Sequence, residues 1–178
     1  MSNAILDATE QVMREEGYGA VSSRRVAEVA GIRQGLVYYY FETMDDLLLA
    51  AFKRRTASGL ARYEQQVSSE RPLLALWKDL TENVDGRLVF EFVALANHHD
   101  GIREEVNRFL GAARRLQADA IARDAANHGL DIAPATPTAL AFILYSATLM
   151  MAREQATGLT EGHDEVRALF SVLMDKFA

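Results

Sequence analysis

The chain has 178 residues, a length that fits one domain or a small domain joined to a larger one. It contains no cysteine, which excludes disulfides, thiolate catalysis and cysteine-based zinc sites, and its 49% hydrophobic and 25% charged residues exclude wholesale disorder. A net charge of −6 argues against a uniformly basic surface but permits a local basic face, because the position of charges decides what they meet.

Apolar residues recur at helical spacing nearly everywhere, and no alternating run flanked by hairpin turns is found, so the fold class expected is all-α. A first helix starts near Asn3 and ends at Gly17 and Gly19, with Ile5, Leu6, Thr9, Val12 and Met13 on one side. Two short helices follow, from about Ser23 to Ala30 and from about Gln34 to Tyr39, separated at Gly31. Thr43-Met44-Asp45-Asp46 has the shape of a capping box, with Asp in place of the usual Glu or Gln, and opens a long helix to about Ser68. Pro72 suits the first turn of a helix running to about Val84. Asp85-Gly86 predicts a break, then a helix from about Arg87 to Asn97, then a second break at His98 to Gly101. A long helix from Ile102 to His128 stops at Gly129. Thr136 and Pro137 read as N-cap and first residue of a helix to about Thr157, and a last helix spans His163 to Phe177. That is nine helices.

The longest uncharged stretch, Ile132 to Ala152, has 21 residues. Pro134 and Pro137 interrupt it, and its continuous apolar part is too short for the ~20 residues that span a bilayer, so a buried or interfacial helix is expected instead. No basic-plus-apolar export signal is seen, so a cytoplasmic protein without membrane contact is expected. Met1-Ser2-Asn3-Ala4 reads as a remnant of tag removal, with the expectation that the natural N-terminus lies elsewhere.

The chemistry concentrates between Val21 and Phe41. Two short helices around a glycine turn are the helix-turn-helix arrangement, and Val26, Ala27, Val29, Ala30 and Ile32 are small or β-branched enough to let them cross closely. From Ser22 to Phe41 there are three arginines and one glutamate, a local charge of +2, which leaves −8 on the rest of the chain. Arginine pairs two donors with guanine O6 and N7, and glutamine pairs with adenine N6 and N7. Serine and tyrosine hydroxyls suit phosphate oxygens, which set register without reading sequence. Arg24, Arg25, Arg33, Gln34 and Leu36 are thus candidates for base or phosphate contact, with Ser23, Tyr38, Tyr39 and Tyr40 for the backbone. Gly35 lets the main chain come close to DNA. On residue chemistry alone, a solvated helical hairpin with packed tyrosines stays open as the other reading.

Ile5-Leu6-Asp7-Ala8, Gly17-Tyr18, Val26-Ala27, Ala30-Gly31-Ile32, Gly35, Val37-Tyr38-Tyr39-Tyr40-Phe41 and Leu47-Leu48 together resemble the DNA-binding domain of the tetracycline-repressor (TetR) family of bacterial regulators. The resemblance covers about a quarter of the chain strongly, and the remaining helices agree in number and order with that family's nine-helix plan. It implies that Ser23 and Arg24 face DNA, that Arg33 to Leu36 lead the recognition helix, and that Tyr38, Tyr39 and Tyr40 touch phosphate and sugar. It also implies a DNA-binding domain over residues 1–52 and an effector-binding and dimerisation domain over 53–178. Departures are Met44, where the family often has a phosphate-contacting lysine, the acids Glu42 and Asp45 near the DNA side, and the absence of a basic arm before the first helix.

In the second domain the Pro137–Thr157 helix is apolar nearly all round, which demands partners on more than one side. The resemblance implies that it and the last helix pair with their copies in a homodimer, with Leu144, Met151, Val166, Phe170, Leu173 and Phe177 at the interface. It further implies a small-molecule pocket, for which Trp77, Phe90, Phe92, His98, Phe109, Phe142, Tyr145 and Met150 are candidate walls; they point to an apolar or aromatic effector. His98-His99 does not suit a metal, since adjacent helical histidines diverge by about 100°, and no metal or cofactor is expected. No Glu-x-x-His, Walker loop or His-Glu-x-x-His occurs, so an enzyme is not expected. The function expected is a ligand-released transcriptional regulator, most simply a repressor, on a palindromic double-stranded operator. The alternative is a helical protein-binding bundle whose DNA head is weak.

Overall fold

Local side-chain caps at Ser22, Thr43 and Thr136 set where three of the helices begin. The structure, a computed structural model, describes residues 1–175, so Phe177 lies outside the described residues. Within them the chain forms α1 (Ser2–Glu16), a 3-10 turn (Tyr18–Ala20), α2 (Ser23–Val29), α3 (Gln34–Tyr40), α4 (Met44–Val67), α5 (Pro72–Glu82), α6 (Gly86–Ala96), α7 (Asp100–Asn127), α8 (Pro137–Gln155) and α9 (His163–Asp175). The Thr43 box is closed in both directions: Asp46 N–H donates to Thr43 Oγ1 at 3.0 Å, and Thr43 N–H donates to the Asp46 carboxylate at 3.1 Å. The shorter aspartate therefore takes the place of the usual glutamate. Thr136 Oγ1 accepts from Ala139 N–H at 3.2 Å, and Pro137 occupies the first helical position where its missing N–H costs nothing.

Both expected breaks are present but lie slightly earlier in the chain, at residues 83–85 and 97–99. Gly86 is the first residue of α6, and Asp100 and Gly101 belong to the first turn of α7. Asp100 there suits the positive end of the helix dipole. Gly86 answers a packing demand: a Cβ at that position would come 2.5 Å from the main chain of Ala152 in α8.

The chain divides into two compact units. The first comprises residues 1–58 and 87–108. Ile5 and Leu6 of α1, Val26 and Ala27 of α2, Val37 of α3, Leu47 and Phe52 of α4, and Leu88 and Phe92 of α6 share its core. Phe52 and Phe92 pack ring on ring at 4.6 Å. Polar ties hold its edge: Arg54 pairs with Asp7 at 2.7 Å and Glu10 at 2.6 Å. The buried Glu105 accepts from Thr56 and Arg108. From α6, Glu91 accepts the Tyr18 N–H at 2.8 Å and Arg87 donates to the Glu15 carbonyl at 3.2 Å, so the end of α1 is clasped at two points.

The second unit comprises residues 59–86 and those from 109 onward. Its core gathers Tyr63 and Val67 of α4, Leu73, Leu76 and Leu80 of α5, Ala113, Ala120 and Ile121 of α7, Ala141 and Leu144 of α8, and Phe170 of α9. Trp77 stacks on Phe170 at 4.6 Å. No helix among the described residues is long and apolar enough to cross a membrane.

Candidate nucleic-acid interface

The first unit presents α2 and α3 as a tight pair. Ser22 caps α2 by accepting the Arg25 N–H at 3.2 Å. The helix ends in a glycine-terminated wrap: Ile32 N–H donates to Ala27 C=O at 3.0 Å and Gly31 N–H to Glu28 C=O at 3.1 Å, with Gly31 at φ 66°. That positive φ is the conformation only glycine takes without strain, and it turns the chain sharply into α3. Val26, Ala27 and Val37 are buried between the helices. In α3 Val37 alone is buried, so nearly the whole of this seven-residue helix stands outward.

Arg24, Arg33, Gln34 and Gly35 are exposed, and Leu36 is half-buried. Tyr38, Tyr39 and Tyr40 are 51%, 78% and 41% exposed, with the rings of Tyr39 and Tyr40 edge to face at 5.1 Å. Three tyrosines are thus left open on two turns of one helix, an apolar and hydroxyl-bearing surface that their burial elsewhere would have removed. Arg24 and Arg33 make no ion pair among the described residues, so their full charge is available to phosphate or base. Arg25 is different. Its guanidinium is gripped by Glu16 at 2.8 Å and Glu28 at 2.9 Å, and hydrogen bonding to Glu16, then to Glu28, raises it above the ordinary arginine range. Its role is to tie α2 to the end of α1. Ser23 is also not free: at 6% exposure it lies beneath Gln34 and Tyr38 and bonds to both. Met44 is half-buried against the core of this unit, which accounts for an apolar residue at a position where lysine would reach for phosphate. Asp46 is engaged in the capping box, and Asp45 faces His99 at 3.5 Å.

The candidate pocket walls are not one group. Phe90, Phe92 and His98 belong to the first unit and Trp77, Phe109, Phe142, Tyr145 and Met150 to the second. Phe92 is fully buried in the head core and His98 is exposed. Phe109 is half-buried and stacks on Tyr63 at 6.2 Å, and Tyr145 is half-buried too. Phe142 and Met150 point outward, Phe142 under the Arg114 guanidinium at 4.8 Å. A shallow cleft in the second unit is lined by Val67, Leu116, Asp119, Ala122 and Arg123, none of them in that set.

Of the expected interface residues, Leu144, Met151 and Phe170 are buried by their own subunit, and Val166 and Leu173 are half-buried. The apolar side chains left exposed on α8 and α9 are Phe142, Ile143, Met150, Leu169 and Val172. Ile143, Leu169 and Val172 were not among the expected residues, because both helices are apolar on two sides and periodicity does not say which side the chain buries in its own core.

The pattern of the tetR family of bacterial regulatory proteins matches residues 5–51. The chain is 30% identical over 66 residues to the fatty acid metabolism regulator protein of Bacillus subtilis (strain 168), a match covering 37% of this chain and 34% of that one. It thus spans about a third of the length of that relative. Among solved structures, E. coli NemR in its reduced form superposes with a TM-score of 0.81 at 18% identity, covering 95% of each chain. The regulator FadR from Bacillus subtilis in complex with stearoyl-CoA superposes with a TM-score of 0.67 at 16% identity, covering 99% of this chain and 97% of that one. These two likenesses establish the fold, and the family pattern lies on the helices that build the open face of α3. Residues 5–51 are thus similar to the tetR family of bacterial regulatory proteins, and the chain as a whole shares the fold of the two regulators.

Proposed function

We propose that this protein is a sequence-specific, DNA-binding transcriptional repressor, acting in the cytoplasm as a homodimer on a palindromic operator and released from it by a small apolar or aromatic effector. The observation that carries the reading is the outward face of α3, where Arg33, Gln34 and three open tyrosines surround a single buried anchor, Val37. A helix so little buried gains its use from what it meets, and this mixture suits base edges and phosphates. Arg24 and Arg33 supply charge; Gly35 and Leu36 allow close approach and contact with a thymine methyl group.

Residues 1–52 do the reading in this scheme, and residues 53–178 bind effector and dimerise. The open apolar row of Phe142, Ile143, Met150, Leu169 and Val172 supports pairing of α8 and α9 with a second copy, because exposure of so many large apolar groups on two helices is costly. The stearoyl-CoA of the Bacillus subtilis regulator supports an effector with a long apolar part. Release is a population shift: effector favours a dimer whose two heads no longer match successive major grooves about 34 Å apart. A tenfold fall in DNA affinity needs about 1.4 kcal/mol of differential binding.

A second reading, a protein-binding bundle with a weak head, draws on Met44 and on the acids Glu42 and Asp45. Selection from a random duplex library at physiological salt separates the two. Recovery of a palindrome is the expected result. Recovery of no sequence, with a basic arm added before α1 as well as without it, would leave the bundle.

A further inference from the structure

Ser23, Gln34 and Tyr38 form a directed chain of hydrogen bonds across the two reading helices. Gln34 Nε2 donates to Ser23 Oγ at 2.8 Å, and Ser23 Oγ donates to Tyr38 Oη at 3.1 Å. Ser23 opens α2 and is nine-tenths buried, whereas Gln34 opens α3 and is exposed with Tyr38. A hydroxyl has one hydrogen, and a carboxamide has two and an acceptor oxygen. The arrangement therefore leaves three groups facing outward: the Gln34 carbonyl oxygen, the second Gln34 N–H, and the Tyr38 hydroxyl hydrogen.

We propose that Ser23 is a positioning residue for base reading: through this chain it locks the Gln34 carboxamide so that it presents one acceptor and one donor in fixed order, the complement of adenine N6 and N7. The proposal rests on the DNA-reading function given above and specifies its code. Guanine offers two acceptors on the same edge, O6 and N7, and would face the fixed Gln34 carbonyl oxygen with another oxygen. A glutamine without the lock turns its amide over and loses that discrimination. The same chain joins the two kinds of contact. Because the Tyr38 oxygen accepts from Ser23, its own hydrogen is left to donate to a phosphate, and each bond polarises the next. A phosphate held by Tyr38 thus strengthens the orientation of Gln34.

The test compares wild type, Ser23→Ala, Gln34→Ala and the double variant on the selected operator and its single-base substitutions, over a salt series. Ser23→Ala is expected to lower discrimination for adenine at one base pair of each half-site by about tenfold, near the middle of the range for one bidentate contact. The slope of log affinity against log salt should stay unchanged, because no charged group is removed. In the Gln34→Ala background the Ser23 change should cost no further discrimination. Ser23→Cys, which keeps the volume and a weak donor, should fall between wild type and alanine, and serves if the alanine variant does not fold. Two results overturn the proposal. Equal losses on all sequences, with discrimination between them unchanged, would make Ser23 a direct phosphate contact. Unchanged discrimination in a folded Ser23→Ala or Ser23→Cys protein would make the chain mere packing. If wild type itself selects no sequence, the DNA-reading function fails first; if wild type reads and the variants read equally well, this inference alone fails.

Discussion

Arg33 and Gln34 stand at the leading end of α3, open to solvent, and Tyr38 stands one turn behind. Their expected effects differ in kind. Arg33→Ala should cost about 1–3 kcal/mol on the best site and relax preference at one base pair. Tyr38→Phe removes a neutral donor to phosphate, so it should weaken binding to all duplexes alike and leave the slope of the salt dependence unchanged. Anisotropy titrations on the selected site and a scrambled duplex read both. Glu105 supplies a prediction about pH. Burial pushes its carboxyl up, but hydrogen bonds from Arg108 and Thr56, with the charges of Arg108 and Lys53, outweigh that and hold it below its ordinary value. Its contribution to stability is therefore present above the unfolded value of about 4.3 and disappears as pH falls through the lower folded value. Thermal melts of wild type and Glu105→Gln should be well separated at pH 7 and converge below about pH 4. These residue roles were only partly legible in sequence. The exposed Arg24, Arg33 and tyrosines stand out by type, whereas nothing in the order of residues shows that Arg25 is held by Glu16 or that Ser23 is covered by Gln34.

At the scale of the element, the helix starts are set by neighbours three or four residues apart, and those were readable. Thr43 followed by Asp46, and Thr136 followed by Pro137, specify their N-termini because capping is a local hydrogen bond. Thr43→Ala should destabilise by about 1 kcal/mol, seen as a lower urea midpoint with unchanged slope. The 3-10 turn after α1 was not readable, because the Tyr18 N–H that it leaves over is satisfied by Glu91 in α6, far along the chain. Gly86 misled for the same reason. In sequence it is a breaker beside Asp85, but in the fold its missing side chain lets the start of α6 meet the main chain of α8. Gly86→Ala should cost about 1–3 kcal/mol by overpacking, measured by the same denaturation.

For the whole molecule, a charge of −6 with +2 confined to Ser22–Phe41 leaves one small face on which the proposed DNA contact can form. Its affinity should fall with salt in proportion to few phosphate contacts. The apolar row on α8 and α9 bears on assembly. Ile143→Glu together with Leu169→Glu places charge on that row without touching the buried Leu144 or Phe170, so the subunit should stay folded. On the proposed pairing, sedimentation velocity should show a dimer for wild type and a monomer for this variant, and operator affinity should drop by well over tenfold once the second head is no longer tethered.

By itself the sequence determined the all-α class, the helix boundaries to within a residue or two, the helix-turn-helix and the likeness of residues 5–51 to the tetR family, because each depends on spacing, caps and residue types within a few turns. Which apolar side of α8 and α9 a subunit keeps, why Phe92 belongs to the core of the head, and how Ser23 and Arg25 are engaged were decided by tertiary structure. Those outcomes depend on partners brought together by folding, and a residue's apolarity or charge is the same whether it ends against its own chain or against another molecule.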